Sequence, residues 1–334
     1  MKVVKLAAPA SIANLRIVDE EIPVPRAGEV LVRLRASSLN PHDDYVVRGA
    51  FPVADGRVPL NDGAGEVIEC GKDVSGFRAG DAVLGTFWPH WQTGEMTAEI
   101  PRDIPGETLD GFAREYACIP ANALTRAPKG LSHEEAATLP CAGVTAWCGL
   151  VTQGRVKAGD TVLVMGTGAV SLFALQFARA AGARVIATSS SDEKLEKLRA
   201  LGAHEVINYR SVPNWGERAK ALTDGRGVDH VVEVGGPATF AQSMAACRLG
   251  GHIAVIGVLS GFAAEVSIPG IFAAQLRLTG VSIGSRADQV DMIRAIEVNG
   301  IRPIIDRRFA LEEIGAAFDY FQQQPHFGKV NIAI

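Results

Sequence analysis

The chain has 334 residues, of which 47% are of apolar types and 21% are charged. This balance is ordinary for a globular protein and excludes a disordered or collagen-like chain, and the length suits about two domains of roughly 150 residues each. The net charge of −4 gives no reason to expect a nucleic-acid partner, and no apolar run approaches the roughly 20 residues that a membrane span requires.

The first part of the chain has the pattern of short strands separated by turns. In residues 29–36 the apolar Val32, Leu34 and Ala36 alternate with two arginines, which is the period of a strand with one solvent-facing side. Glycine and proline clusters interrupt the sequence up to about residue 125. Residues 88–110 have no clear period and are predicted to form a long loop. We therefore expect a compact, barrel-like β domain here.

From about residue 157 onward, short apolar runs alternate with helical patterns. The predicted strands span residues 161–165, 184–188, 205–208, 229–234 and 252–256, and the predicted helices span 170–181, 192–201, 215–223 and 239–248. Because strands buried on both faces are nearly continuous apolar runs, this alternation predicts a parallel sheet with helices on both sides. A last apolar run at 277–284, helices near 288–299 and 312–323, and a strand at 329–334 follow.

A glycine-rich turn lies between the first of these strands and its helix. Gly166 permits a tight turn, Gly168 allows close backbone approach to a pyrophosphate, and the positive end of the helix faces that anion. The other turn residues predicted to contact the coenzyme are Thr167, Ala169 and Val170. Ser171 replaces the third glycine of the fingerprint, a departure that still leaves a small residue for close helix–strand packing.

The end of the second strand indicates which dinucleotide binds. NAD sites place an acidic residue there to hold the ribose 2′-hydroxyl, whereas this chain has Ser189 and Ser190, which can donate hydrogen bonds to a 2′-phosphate. Lys194 lies one turn into the next helix, and Tyr209 follows the third strand as a further donor. We therefore expect NADP(H) to be preferred over NAD(H), with Asp192 directed away from the site at the helix start.

At this point the sequence resembles the medium-chain dehydrogenase/reductase superfamily and, within it, the zinc-independent, quinone-oxidoreductase-like members. The segments that carry the resemblance are residues 37–49, 59–67, 80–85, 134–147, 201–210 and 326–334, together with the glycine turn. The resemblance implies a chaperonin-10-like (GroES-like) β-barrel catalytic domain from residues 1–124 and 287–334, and a Rossmann doubly wound parallel-sheet domain from 125–286. It also implies an active site in the cleft between the domains, and a homodimer formed through the strand near 276–284.

Departures from the zinc-containing members are equally informative. Their catalytic zinc is held by a cysteine, a histidine and a second cysteine, and the corresponding positions here are Asn40, Asn61 and Cys141. One thiolate with two carboxamides is not the nitrogen and sulfur set that catalytic zinc needs, and the four cysteines of the structural zinc lobe are missing between Cys70 and Cys118. We therefore expect no zinc.

Without a Lewis acid, hydride transfer is easiest to an acceptor that already spreads the negative charge. A quinone or an α,β-unsaturated carbonyl compound is such an electrophile, so we expect an NADPH-dependent reductase with a small-molecule electrophilic substrate. Two alternatives stay open: an NADP-linked alcohol dehydrogenase or carbonyl reductase without zinc, and a non-catalytic NADPH-binding protein.

The segment that follows Asn40 supplies the candidate catalytic groups. Tyr45, with His42 second, is the predicted donor of the proton that follows hydride transfer. Asn40 could donate a hydrogen bond to the acceptor oxygen. In related enoyl reductases a tyrosine before a proline is the donor, but Phe51 stands in that place here.

The resemblance assigns four further coenzyme contacts, and the cysteines predict a cytoplasmic location. The hydroxyl or backbone of Thr145 and the main chain at Val258 and Leu259 correspond to positions that hold the nicotinamide, and Lys329 to a basic residue that reaches the phosphates. The five cysteines, an odd number without a C-x-x-C pair, are expected to be reduced thiols, as in the cytoplasm.

Overall fold

The computed structural model describes residues 1–323 and 326–334. They form two compact units, one from Met1–Val144 with Ser285–Ile334 and the other from Thr145–Gly284. We call them the barrel unit and the nucleotide unit. Within the described residues, no helix combines the length and apolar character needed to cross a lipid bilayer.

The strands, in chain order, are β1 (Lys2–Leu6), β2 (Leu15–Asp19), β3 (Glu29–Ser38), β4 (Ala64–Cys70), β5 (Ala82–Gly85), β6 (Tyr116–Pro120), β7 (Leu124–Arg126), β8 (Thr161–Met165), β9 (Arg184–Ser189), β10 (Glu205–Asn208), β11 (Val228–Glu233), β12 (Cys247–Val255), β13 (Arg277–Gly280), β14 (Ile305–Ala310) and β15 (Lys329–Ala333).

The α-helices are α1 (Pro41–Val47), α2 (His133–Ala136), α3 (Val144–Trp147), α4 (Ala169–Ala180), α5 (Asp192–Ala200), α6 (Trp215–Ala221), α7 (Pro237–Ala246), α8 (Ile268–Ala274), α9 (Arg286–Asn299) and α10 (Ile314–Gln322). Two π-helical turns, Leu139–Gly143 and Cys148–Thr152, lie on either side of α3.

The barrel unit is built on a seven-stranded sheet in the order β14-β15-β3-β4-β5-β7, with β6 also paired to β3. Strand β3 is central because it pairs with β4, β6 and β15, which brings the C-terminal strand against the N-terminal part of the chain. Its alternating apolar side chains, among them Val32 and Leu34, enter a core with Val67, Phe112 and Leu124. Residues near position 40 and residues near position 329 therefore lie close together in the barrel unit.

The nucleotide unit contains a six-stranded sheet in the order β10-β9-β8-β11-β12-β13, and each neighbouring pair is parallel. Strand β8 is fully buried. The strand order changes direction beside it, because β9 and β10 extend the sheet on one side and β11 to β13 extend it on the other. In doubly wound sheets, ligands bind beyond the carboxyl ends of the strands at such a reversal. The glycine turn directly follows β8, so it lies at this point.

The predicted elements agree closely with those observed. Strands β8 and β10 have the predicted bounds, and helix α4 differs by one residue at each end. The predicted combination of a β domain with a doubly wound parallel sheet is confirmed.

The first domain boundary differs from the prediction. The structure places it after Val144 rather than after residue 124. The physical reason is that the intervening residues pack within the barrel unit: β7 pairs with β5, and Cys141 N donates to Asp62. The second boundary, before Ser285, lies within two residues of the predicted one.

Candidate functional site

Helix α1 carries the predicted catalytic residues of the barrel unit. Its N-cap residue Asn40 donates its backbone N–H to the Asp43 carboxylate at 2.9 Å, which is one half of a capping box. Pro41 occupies the first helical position, where its ring already fixes φ near the helical value. These local preferences fix the start of the helix, and the three-residue spacing of His42 and Tyr45 places both on one helix face.

Four polar side chains form a buried cluster at this helix start. Asn40 Nδ2 donates to Asn61 Oδ1 at 3.1 Å and to Asp62 Oδ2 at 2.8 Å. The Asn61 backbone N–H and Nδ2 donate to Asp43 Oδ1 at 2.9 and 2.8 Å. None of the four is more than 3% exposed. Each carboxylate is thus held by several donors, as burial of such groups requires.

Two distant segments join this cluster. Cys141, in the first π-helical turn, donates its backbone N–H to Asp62 Oδ1 at 2.9 Å. Lys329, the first residue of β15, places Nζ 2.8 Å from Asn40 Oδ1, 3.0 Å from Asp62 Oδ2 and 2.9 Å from the Leu39 carbonyl oxygen. We call these residues (Leu39, Asn40, Asp43, Asn61, Asp62, Cys141 and Lys329) the buried cluster.

The structure places two of the predicted site residues inside the buried cluster. Lys329 is 2% exposed and its Nζ lies near three protein acceptors, and its contact with the coenzyme phosphates stays a prediction. The side chain of Asn40 is equally committed, because both of its amide hydrogens face acceptors inside the cluster. A hydrogen bond from Asn40 to a substrate oxygen would compete with these internal hydrogen bonds, and the oxyanion contact stays a prediction.

The residues of the buried cluster do not fit a catalytic zinc ion. The three positions that correspond to zinc ligands do lie together, but two of them are carboxamides, and an ammonium group lies against one of these. Zinc in catalytic sites requires histidine, thiolate or carboxylate ligands. Within residues 1–323 and 326–334, no group of three or more such side chains is arranged to hold a metal.

Burial shifts two pKa values in this cluster. Desolvation, followed by the negative charge of Asp62, raises the pKa of Asp43 to about 7, while Lys329 acts in the opposite direction. Desolvation also raises the pKa of the Cys141 thiol well above its usual value. A thiol held protonated is a poor nucleophile, which agrees with a structural role for Cys141.

His42 packs against two aromatic rings beside the buried cluster. Its ring stacks on Phe51 with centroids 5.6 Å apart and meets the edge of Phe87 at the same distance. Nε2 lies 2.8 Å from Oε2 of Glu107, although the two groups are not aligned for a hydrogen bond. Burial lowers the pKa of His42 to about 4. The ring is therefore neutral at pH 7 and cannot serve as an imidazolium acid.

Tyr45 is the second proton-donor candidate on the same helix. It is half-buried, and its ring meets Phe51 edge-on with centroids 6.2 Å apart. A phenol can donate its hydroxyl proton without first being charged. The structure thus keeps Tyr45 as the better candidate and weakens His42.

The glycine turn of the nucleotide unit has the geometry that a pyrophosphate needs. Gly166 has a φ of +68°, and a Cβ at Gly166 or Gly168 would meet no atom within 4 Å. Gly168 is the N-cap of α4 and supplies no side chain, so the helix start is open for an anion. Ser171 donates its hydroxyl to the Met165 carbonyl oxygen at 2.6 Å, which explains why this serine can replace the third glycine.

The residues predicted to recognise a 2′-phosphate lie at adjacent strand ends. Strands β9 and β10 pair, and the Tyr209 N–H donates to the Ser189 carbonyl oxygen at 3.1 Å. Ser189 is buried, Ser190 and Lys194 are half-buried, and Tyr209 is exposed. Asp192 accepts a hydrogen bond from Asn208 at 2.7 Å, so its carboxylate is already paired.

Strands β11 and β12 position the other predicted coenzyme contacts. Val258 and Leu259 follow β12 and are 37% and 57% exposed. They follow Gly257, whose N–H donates to the Glu233 carbonyl oxygen. A Cβ at Gly257 would lie 1.7 Å from the Val234 carbonyl oxygen, so only glycine fits there. Thr145 is buried in α3.

Three site residues were missed by the sequence analysis. Asp62 directly follows Asn61 in an otherwise apolar and glycine-rich segment, which was the available signal. Glu107 lies in an irregular loop that gives no signal. Glu233 is fully buried, and its carboxylate accepts from the N–H groups of Gly235 and Gly236 and from Thr239. It thereby organises the turn that follows β11.

Comparisons with known proteins agree with this architecture. Residues 26–129 match the alcohol dehydrogenase GroES-like domain family, and residues 169–298 match the zinc-binding dehydrogenase family. A zinc-type alcohol dehydrogenase-like protein of Schizosaccharomyces pombe is 43% identical over 326 residues, covering 94% of each chain. An acryloyl-coenzyme A reductase of Sulfurisphaera tokodaii is 29% identical, covering 93% of this chain and 94% of that protein.

A solved structure supports the same assignment. The crystal structure of a putative alcohol dehydrogenase from Sinorhizobium meliloti 1021 superposes with a TM-score of 0.93 at 38% identity, covering 100% of this chain and 99% of that one. These relatives and the fold described above share one architecture. The chain therefore belongs to the medium-chain dehydrogenase/reductase superfamily of oxidoreductases, with a GroES-like domain and a Rossmann-like domain.

Proposed function

We propose that this oxidoreductase uses NADPH, without zinc, to reduce the activated double bond of a quinone or an α,β-unsaturated carbonyl compound. The observation that carries the proposal is the buried cluster. The carboxamides of Asn40 and Asn61 stand at two of the three positions that correspond to zinc ligands, and Nζ of Lys329 lies against Asn40. A site of this composition offers no Lewis acid to stabilise an alkoxide, and that is the help which oxidation of a simple alcohol needs.

An activated alkene requires less help because its own carbonyl group accepts the negative charge. Hydride adds to the β-carbon, the electron pair moves to the oxygen as an enolate, and a proton then adds to the α-carbon. The similarity to a protein named acryloyl-coenzyme A reductase supports this class of acceptor, since an acryloyl group is an α,β-unsaturated carbonyl.

The nucleotide unit fits the coenzyme through its backbone. When bound, NADPH would supply the hydride. The open start of α4 and the turn from Gly166 to Val170 would hold its pyrophosphate. Ser190, Lys194 and Tyr209 would donate to the 2′-phosphate. The main chain at Val258 and Leu259, together with Thr145, would hold the nicotinamide ring.

Tyr45 would supply the proton. Its hydroxyl gives a proton to the α-carbon of the enolate, either directly or through one water molecule, and recovers a proton from solvent. His42 would not be the donor, because burial lowers its pKa to about 4.

The nucleotide unit also supports a homodimer proposal. Strand β13 is at the edge of the described sheet, and large apolar side chains near it in sequence are exposed: Leu249, Leu259, Phe262, Ile268, Phe272 and Leu278. An edge strand beside exposed apolar surface is typical of a surface that pairs with another chain. Five free thiols are in keeping with a reducing cytoplasm.

The test is oxidation of NADPH, and separately of NADH, against a panel of enones, quinones and aldehydes, with elemental analysis of the same protein. The proposal expects turnover of enones or quinones, a preference for NADPH of at least about tenfold, and less than stoichiometric zinc. Stoichiometric zinc together with oxidation of simple alcohols would contradict the proposed function and indicate an alcohol dehydrogenase. Tight NADPH binding without turnover of any acceptor would contradict it and indicate a non-catalytic role.

A further inference from the structure

Two turns of the nucleotide unit lie in backbone contact at the carboxyl ends of neighbouring strands. The first turn, residues 234–236, joins β11 to α7, and the second turn, residues 256–261, directly follows β12. A Cβ at Gly236 would lie 3.0 Å from the Gly257 carbonyl oxygen. The shape of the second turn therefore depends on the shape of the first.

The Glu233 carboxylate holds the first turn from inside. Its Oε1 accepts from the N–H groups of Gly235 and Gly236 at 2.8 and 2.9 Å. The same oxygen accepts from the Thr239 hydroxyl at 2.6 Å, and Oε2 accepts from the Ser243 hydroxyl. Gly236 has a φ of +86°, which favours glycine, and its bond to the carboxylate keeps it in that conformation. A fully buried carboxylate thus fixes the backbone of the first turn.

The second turn is anchored to the first at both of its ends. At its start, the N–H groups of Ile256 and Gly257 donate to the Glu233 carbonyl oxygen, both at 3.0 Å. At its end, Ser260 donates its N–H at 3.0 Å and its hydroxyl at 2.7 Å to the Gly235 carbonyl oxygen. The second turn is therefore a short bridge between two fixed points.

The middle of this bridge carries the predicted nicotinamide contacts. Within the part of the chain that the structure describes, the N–H groups of Val258 and Leu259 donate to no protein acceptor. The Ser260 hydroxyl, beside them, is in contrast fully used, because it also accepts from the Ala238 N–H at 3.0 Å. The bridge thus presents free main-chain donors next to a side chain that fixes their position.

We propose that Glu233 and Ser260 are positioning residues for the coenzyme: they form a clasp that holds the main chain of Val258 and Leu259 where it binds the nicotinamide. The Glu233 carboxylate fixes the first turn, and the Ser260 hydroxyl fastens the second turn to it. This inference rests on the coenzyme of the proposed function, but not on the acceptor, the proton donor or the zinc independence.

Ser260→Ala opens one side of the clasp and is the main test. It removes the hydroxyl bonds to Gly235 and Ala238, so fewer molecules hold the second turn in the binding position. We expect the affinity for NADPH to fall about fivefold. The affinity for 2′,5′-ADP, which has the 2′-phosphate but no nicotinamide, should not change. Titration of the nicotinamide fluorescence measures the first ligand, and calorimetry measures the second.

The control is another exposed serine of the nucleotide unit. Ser267 accepts from the Gly270 N–H at 3.2 Å at the start of α8, so Ser267→Ala also removes a hydroxyl that holds main chain. It should bind both ligands as the wild type does. If Ser260→Ala loses equal affinity for NADPH and 2′,5′-ADP, or keeps its NADPH affinity, the inference is overturned.

The other half of the clasp is tested by two substitutions of equal length. Glu233→Gln keeps an oxygen that accepts from Gly235 and Gly236, and we expect it to bind NADPH nearly as the wild type does. Glu233→Met accepts nothing, and in folded protein it should lose more affinity for NADPH than for 2′,5′-ADP. Equal NADPH affinities of these two variants would contradict the role of the carboxylate.

The exposed position of Ser260 keeps the inference testable if Glu233→Met does not fold, since Ser260→Ala then decides it. A wild-type protein that binds neither NADPH nor 2′,5′-ADP would instead contradict the coenzyme of the proposed function. The two failures are therefore distinguishable.

Discussion

The two candidate sites of this protein are built in opposite ways. In the nucleotide unit, the glycine turn between β8 and α4 offers backbone N–H groups and open space, and its residues are neighbours in the chain. In the barrel unit, the buried cluster joins polar side chains to the Leu39 carbonyl and the Cys141 N–H, and its members come from four separate segments of the chain.

This difference determines how each site should respond to substitution. A backbone site binds a ligand with groups that every residue has, so a side chain there matters only by its bulk. A buried polar network depends on every member, because removing one leaves partners without hydrogen bonds or counter-charge. We therefore expect stability effects in the barrel unit and binding effects in the nucleotide unit.

The largest expected effect comes from Asp62→Ala, which directly tests whether the barrel unit depends on its buried polar side chains for stability. It leaves the Lys329 ammonium without its counter-charge and should cost about 3–5 kcal/mol of unfolding free energy, measured by urea denaturation followed by circular dichroism. The matched control is Asp291→Ala, which removes a surface pair with Arg294 and should stay within about 0.5 kcal/mol. Similar losses for both variants would mean that the cluster is no more critical than the surface.

The next effect is a pH dependence centred on Asp43. Its pKa is raised from 3.8 to about 7 in the folded protein, so between those pH values the folded state binds a proton that the unfolded state has lost. Stability from this group therefore falls as pH rises through that window, by about 3 kcal/mol or more.

The measurement for Asp43 is the unfolding free energy from pH 5 to pH 8 for the wild type and for Asp43→Asn. Several histidines have a lowered pKa, among them His42 and His252, and they act in the opposite direction. The difference between the two proteins isolates Asp43. A difference that does not change with pH would show that Asp43 stays ionised in the folded state.

Tyr45→Phe tests the proposed proton donor, a barrel-unit residue whose substitution should affect activity. Loss of the hydroxyl should lower kcat for a preferred enone about 100-fold, while the ring still packs on Phe51. Tyr116→Phe, a half-buried tyrosine in β6, is the control and should keep full activity. An unchanged kcat in Tyr45→Phe would remove Tyr45 from the mechanism.

The smallest effect comes from two glycine variants in the nucleotide unit. Gly168 has a φ of −72° and no atom near a new Cβ, so Gly168→Ala should keep its stability but weaken NADPH binding about tenfold. Gly159 has a φ of +86°, so Gly159→Ala should lose about 1 kcal/mol of stability and keep its affinity. Fluorescence titration and thermal unfolding measure both, and the reverse pattern would contradict a backbone-built site.

The local features of the protein could be predicted from its sequence. The alternation of apolar runs and helices predicted the parallel sheet, and the glycine turn was placed between β8 and α4 because strand, turn and helix are neighbours in the chain. The replacement of zinc ligands by Asn40 and Asn61 was likewise visible. The structure divides the chain after Val144 rather than after residue 124, and the pairing of β7 with β5, a contact between distant residues, was not visible in the sequence.

The contacts of Asn40 and Lys329 were decided only by the tertiary structure. In the sequence, a lysine near the C-terminus and an amide near a predicted helix have no relation. The pairing of β15 with β3 brings them to 2.8 Å from each other. Local sequence patterns fix secondary structure because they act over a few residues, whereas the charge balance of a buried site depends on groups about 270 to 290 positions apart, which only the folded chain brings together.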